Sequence, residues 1–261
     1  MSTVGTASWA YKSDGILTWG QYLGLHKQLV TLQLKEAGAW LAAKGIIGKK
    51  PLQFDVDEIV IPDSAIARKA DELVRDVSSA PLHSHCVRTY VWGYLLGKHA
   101  GLKFDPELFY VSSVLHDLGL VEPHIQKAMC ACFAVTGAKQ AREFVRGEGW
   151  SEEKCERVFE TISLHLNLDV RAKDHFAEAQ MLAHGAHLDV VGAHYRRLSP
   201  RTIDSVIKRF PRDGFVADIQ DHIETPHNPL TRATMLGRVG FSKLANKNPL
   251  NDHQMKCHGH L

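Results

Sequence analysis

Helix start signals recur along this chain and constrain its fold more than any other feature. They are residues that can accept a hydrogen bond from the first helical amides, followed in two cases by a proline suited to the first turn. The signals are Asp63 or Ser64, Asp105-Pro106, Ser151 and Ser199-Pro200. Apolar residues at helical spacing follow each signal. Only residues 54–61 alternate like a strand, and one short strand cannot make a sheet. The sequence therefore predicts an all-α fold in which this stretch is an extended connector.

The predicted organisation is one helical domain with a segment on either side. A chain of 261 residues with 44% hydrophobic content can bury one large core. We expect residues 61–240 to form this multi-helix bundle. Residues 1–60, with a helix over 25–44, would be an N-terminal extension that packs outside the bundle or on a second subunit, which leaves a homo-oligomer open. Residues 241–261 would be a polar, mobile tail.

Charge and composition exclude several classes of function. The 31 basic and 29 acidic residues give a net charge of only +2, which offers no field for a polyanion, so we expect no nucleic-acid partner. No apolar run reaches the length of a membrane span, and the N-terminus lacks the pattern of a secretory signal. The five cysteines have no zinc-ribbon spacing. These features predict a cytoplasmic protein with reduced thiols and a small-molecule substrate.

Four ionisable residues interrupt apolar positions that should face the core. They are His85, the adjacent His116 and Asp117, and Asp189, each in a segment with helical periodicity. Burying such groups is costly unless they are hydrogen-bonded, paired or bound to a metal. Their nitrogen and oxygen donors suit a divalent ion, with zinc expected and iron or manganese as alternatives. The sequence therefore predicts a buried mononuclear metal site with these four ligands.

The helices expected around this site span residues 83–99, 106–119 and 176–193, with a shorter one over 136–146 closed by Gly147. The first would carry His85 and the third Asp189. The second would end at Gly119, a typical C-terminal stop, with the His-Asp pair in its last turn.

Three short motifs resemble the HD-domain metalloprotein superfamily. They are HCVR (85–88), LHDLG (115–119) and LDVVG (188–192). Within that superfamily the chain looks most like the cyanamide hydratase branch. The supporting stretches are SHCVRTYVWG, VLHDLGL, FAVTGAKQAREFV, ISLH, AHLDVVGAHY and FPRDGF, which cover roughly residues 80–216. The resemblance implies a helical bundle around one divalent ion, and addition of water to the carbon of a small C≡N group, as in cyanamide to urea.

Two residues are candidates for the chemistry. A bound ion lowers the pKa of water, and Asp117, beside that water, could receive its proton. His165 shares an inward-facing stripe with Val158 and Ile162, so it is either a proton donor or positioning group for the substrate or an ordinary core histidine.

Two other functions stay open. One is hydrolysis of a nucleotide or other phosphate ester, for which Arg88, Lys127, Lys139 and Arg142 are available cations. The absence of a lysine next to the His-Asp pair disfavours it. The other is a non-catalytic binding protein that keeps a metal for stability.

Several further histidines are alternatives at the site. His83 could replace His85 if the helix begins later, although only His85 stands three residues before Arg88. His184 or His187, shortly before Asp189 and three residues apart on one helix face, could be a ligand, but polar residues near a helix end are the simpler interpretation. The C-terminal group of His253, Cys257, His258 and His260 would bind metal only adventitiously.

Overall fold

The computed structural model describes residues 3–25, 50–122, 124–125, 130–224, 228–238 and 240–253. Its helices are α1 (Ala7–Ser13), α2 (Ala65–Val77), α3 (Ala80–Ala100), α4 (Pro106–Leu115), α5 (Phe133–Gly147), α6 (Glu152–Leu164), α7 (Ala177–Val191), α8 (Pro200–Arg209), α9 (Phe215–Glu224), α10 (Arg232–Arg238) and α11 (Phe241–Asn246). Within these ranges the chain forms no strand, only two isolated bridges. The all-α prediction is confirmed. None of the described helices is long and apolar enough to cross a membrane.

At each predicted helix start, a side chain caps the helix. The hydroxyls of Ser64, Ser151 and Ser199 each accept a hydrogen bond from an amide in the first turn, and the Asp105 carboxylate accepts two. Ser79 does the same for α3, which begins earlier than expected because Pro81 fits the first turn. The predicted connector is extended on both sides of a 3₁₀ turn at Val56–Glu58.

Helices α3 and α7 form the centre of the bundle. Their backbones approach so closely that a Cβ on Gly185 would lie 2.3 Å from the carbonyl oxygen of Thr89, and one on Gly93 would lie 2.5 Å from that of Met181. Only glycine permits this approach. The contact sets His85 of α3 opposite Asp189 of α7, so residues distant in sequence meet in the core.

The N-terminal residues 3–25 pack on this bundle. Trp9 is buried, the amide of Ala7 donates to Glu160 Oε2 at 3.0 Å, and the amide of Leu17 donates to the Leu230 carbonyl oxygen at 2.7 Å. The helix predicted over residues 25–44 lies outside the described residues from residue 26 onward.

Residues 241–253, which the sequence assigned to a mobile tail, are packed in the structure. Leu250 is fully buried, and the side-chain amide of Asn248 donates to the carbonyl oxygens of Leu188 and Asp189 at 3.2 and 2.9 Å. Asn248 thus ties this segment to the last turn of α7, whereas Lys243, Asn246 and Lys247 stay exposed.

Candidate metal centre

The His116-Asp117 pair lies at the point where α4 ends. His116 follows Leu115 and keeps helical backbone angles, whereas Asp117 departs from them and precedes a 3₁₀ turn over Leu118–Leu120. Because the chain changes direction here, the adjacent side chains reach the same point, with His116 Nε2 3.2 Å from Asp117 Oδ2. The prediction that the helix continues to Gly119 is therefore wrong, and the pair follows the last turn instead of belonging to it.

Gly119 does not end a helix, as predicted, but allows a close backbone contact. A Cβ at this position would lie 2.0 Å from the carbonyl oxygen of Phe133, the first residue of α5. Helix α5 begins at Phe133, before its predicted start at Thr136. Its first turn therefore packs against the chain that follows Asp117. The glycine is needed for this close backbone approach.

His85 faces the same point from the second turn of α3. Its Nε2 lies 3.5 Å from Asp117 Oδ2, and its Nδ1 lies 2.7 Å from Asp189 Oδ2. The ring stacks on Phe215 of α9 at 4.7 Å between centroids. The imidazole is thus fixed on one edge by a carboxylate and on one face by an aromatic ring.

His116 and His165 are oriented in the same manner by backbone carbonyls. His116 Nδ1 lies 2.8 Å from the Ser113 oxygen, and His165 Nδ1 lies 2.7 Å from the Ile162 oxygen. A carbonyl oxygen can only accept, so each Nδ1 carries the proton and each neutral ring directs an Nε2 lone pair inward. The Nε2 of His165 lies 3.8 Å from Asp117 Oδ1.

When these rings are neutral, lone pairs therefore converge on one point without a donor among these groups to satisfy them. Ligand atoms of His85, His116 and Asp117 lie within 4.8 Å of one another, and all three residues are buried. Such an array of acceptors requires a bound cation or a proton on one of the rings, and anchoring of the distal ring nitrogen is typical of metal-binding histidines. The residues present thus fit a divalent metal ion with nitrogen and oxygen ligands.

The charges of the metal-free cluster support this interpretation. Burial alone would lower the pKa of His116, but the Asp117 carboxylate outweighs burial and raises that pKa well above its usual range. Burial would raise the pKa of Asp117, but the histidines around it, His116 first, lower it. Burial lowers the pKa of His165 to about 3. Without a metal, a proton on His116 provides the positive charge that Asp117 requires.

Residues 82–207 match the protein-family model described as HD domain. This match covers just under half of the chain. Proteins with this domain are typically metal-dependent hydrolases, which agrees with the convergent cluster. The superfamily suggested by the three motifs is supported, whereas the cyanamide hydratase branch stays a prediction. No curated protein matches the chain.

Asp189 lies next to this cluster, but its carboxylate is engaged by other partners. Its carboxylate accepts hydrogen bonds from Arg88 Nε at 3.0 Å, Arg212 Nη1 at 2.7 Å and Trp92 Nε1 at 2.9 Å, in addition to His85. Burial would raise its pKa, but the two arginines hold it well below its usual value.

The structure thus brings together three of the four predicted ligands and places Asp189 behind one of them. A carboxylate that already accepts from two guanidinium groups, an indole and an imidazole has little capacity left for an ion. Its predicted ligand role stays a prediction, while the geometry shows that it orients His85. Arg212 comes from the segment between α8 and α9, and no periodicity in the sequence indicated this contact.

The alternative histidines lie elsewhere. His83 Nε2 is 2.8 Å from Asp71 Oδ1, so the structure favours His85 over His83 as the ligand. The ring of His184 contacts that of His194, and His253 bonds to Tyr195 and Asp204. Cys257, His258 and His260 lie outside the described residues.

A cavity of about 110 Å³ opens directly beside the cluster. His85, His116, Asp117 and His165 form one part of its wall. The remainder is almost entirely apolar and includes Leu120, Phe133, Val190, Ile219, Leu236 and Phe241. His187 of α7 also lines it, and burial lowers the pKa of this histidine to about 4. The sequence offered two interpretations of His187, a metal ligand or a polar residue near a helix end, and neither placed it in a cavity wall; its position one helical turn before Val190 and Val191 was the available signal.

Proposed function

We propose that this protein is a metal-dependent enzyme that adds water to a small, uncharged substrate. The cavity beside the cluster carries this proposal. Its volume is about 110 Å³, and no lysine or arginine is among the described residues that line it. An apolar cavity of roughly 150 Å³ holds benzene, so a substrate of only a few heavy atoms fits here.

The positions of the cations argue against a phosphate ester. Recognition of phosphate requires arginine or lysine side chains directed at it. Arg88 and Arg212 are committed to Asp189, Lys139 pairs with Asp14, and Arg142 contacts Glu156. Lys127, the remaining candidate, lies outside the described residues.

The chain's own groups suggest how water would be activated. Zinc is the ion we propose, and when bound it would lower the pKa of water toward neutrality and polarise the substrate. Asp117 and His165 both direct acceptor atoms at the cluster. Nδ1 of His165 donates to the Ile162 carbonyl oxygen, and burial keeps the ring neutral by lowering its pKa to about 3, so its Nε2 can accept a hydrogen bond from the attacking water. We therefore favour an accepting role for His165 over a donating one.

The finer assignment is hydration of cyanamide to urea. This proposal combines the motif resemblance with a cavity suited to a small neutral molecule. We also propose that the protein acts in the cytoplasm on small molecules alone. A homo-oligomer stays a prediction of the sequence.

The direct test measures two products from the same zinc-loaded preparation. Urea release from cyanamide and phosphate release from a panel of nucleotides are assayed in parallel, with His116→Ala as the inactive control. We expect hydration of cyanamide, or of another small nitrile, that His116→Ala abolishes. Phosphate release without hydration of any nitrile would show that the enzyme is a phosphohydrolase instead.

A further inference from the structure

His187 differs from the other histidines that line the cavity. His85, His116 and His165 each have Nδ1 anchored to an oxygen atom. Both ring nitrogens of His187 are buried, and neither has a hydrogen-bond partner among the described residues. The backbone of His165 lies near the ring and partly offsets the lowering of its pKa by burial. It is too poorly placed to make a hydrogen bond with either ring nitrogen.

An imidazole with two unpaired nitrogens is costly in an apolar wall. Buried polar groups in native proteins almost always have a partner, and leaving one without a partner destabilises the fold. Apart from the cluster itself, the described residues that line the cavity with His187, such as Ala186, Val190 and Leu168, carry no polar side chain. The missing partner must therefore enter the cavity with the substrate or with water.

We propose that His187 binds the substrate by a hydrogen bond to its polar end. This inference rests on the proposed function and extends it by specifying the substrate class: a small neutral molecule with a nitrogen or oxygen acceptor at one end, such as a nitrile or an amide. The neutral imidazole donates one N–H to that acceptor. The cluster and His187 lie in the same cavity, so a substrate held by His187 is oriented toward the cluster.

The test compares His187→Leu and His187→Gln with the wild-type holoenzyme. His187→Leu removes an unpaired polar group from an apolar wall, so it should bind a full complement of zinc and unfold at the same or a higher urea concentration. Its KM for cyanamide should rise about tenfold or more. His187→Gln, which keeps a donor, should recover part of that loss. His184→Leu, one turn earlier and absent from the cavity wall, is the matched control and should leave KM unchanged.

A second readout does not depend on turnover. The ring nitrogens of His187, assigned with the His187→Gln variant in ¹⁵N-histidine NMR spectra, should shift when cyanamide, acetonitrile or acetamide is added to the zinc-loaded protein. If the ring shifts but no substrate is turned over, the proposed reaction fails while the role of His187 stands. The proposal is overturned if none of the three probes shifts the ring, or if His187→Leu keeps the wild-type KM. Zinc loss in His187→Leu would also overturn it, since His187 would then be a ligand.

Discussion

Replacement of Asp189 by asparagine tests how the buried charges are balanced. The side chains of Asp189, Arg88 and Arg212 are all fully buried, and the carboxylate is the acceptor between the two guanidinium groups. Asp189→Asn preserves the shape but leaves two buried positive charges without their anion. Removal of one partner from a buried ion pair typically costs about 3 to 5 kcal/mol, a large part of the roughly 5 to 15 kcal/mol that stabilises a domain.

The assay is urea unfolding of the chelator-treated protein at neutral pH. Asp174→Asn is the matched control, because Asp174 pairs with Arg171 at the surface, where both side chains are about half exposed. It should change the free energy of unfolding by less than about 1 kcal/mol. Zinc affinity of Asp189→Asn should also fall about 10- to 100-fold, because His85 loses the acceptor that orients it. Unchanged stability, together with complete loss of zinc, would refute this reasoning and make Asp189 a ligand.

Three further predictions concern His165, His187 and Gly185. His165→Ala should keep its zinc, while its turnover falls about 10²- to 10⁴-fold. Elemental analysis and rate measurements on the same preparation test this, and loss of zinc would make His165 a ligand. Burial lowers the pKa of His187 from 6.5 to about 4. Between these two pH values the unfolded chain binds a proton at this residue and the folded chain does not, so the folded state loses stability as the pH falls from 6.5 to about 4. His187→Gln should remove a slope of up to about 1.4 kcal/mol per pH unit from urea unfolding curves, and an unchanged slope would contradict the assignment. Gly185→Ala should lower the free energy of unfolding by about 1 to 3 kcal/mol, because the added Cβ would collide with the Thr89 carbonyl oxygen. Gly147→Ala is the control and should be neutral, since there is open space around Gly147. Equal effects of the two substitutions would argue against the close contact between α3 and α7.

Local signals in the sequence were sufficient for the fold class and for the centre of the site. Capping residues such as Ser64 and Ser151 act through hydrogen bonds within the next turn, so their effect is visible in a few adjacent letters. The buried positions of His85 and Asp189 followed from apolar periodicity. His116 and Asp117 are adjacent near the end of a helix, and this alone predicted that both side chains reach one point.

The remaining features depend on contacts between distant segments. The end of α4 at Leu115 is set by how the following turn packs on α5, which local propensity does not encode. The arginine pair on Asp189 is completed by Arg212 from beyond α8. The burial of Leu250 depends on docking of the last segment against α7. Such features emerge only when the helices are assembled.

Zinc titration of the chelator-stripped protein tests the central claim most directly. The wild type should bind one ion tightly per chain, and His85→Ala, His116→Ala and Asp117→Asn should each lose it. His83→Ala is the matched control, because His83 lies on the same helix but bonds to Asp71, and it should bind zinc like the wild type. A full zinc complement in His116→Ala would contradict the convergent site described above, as would zinc loss in His83→Ala alone.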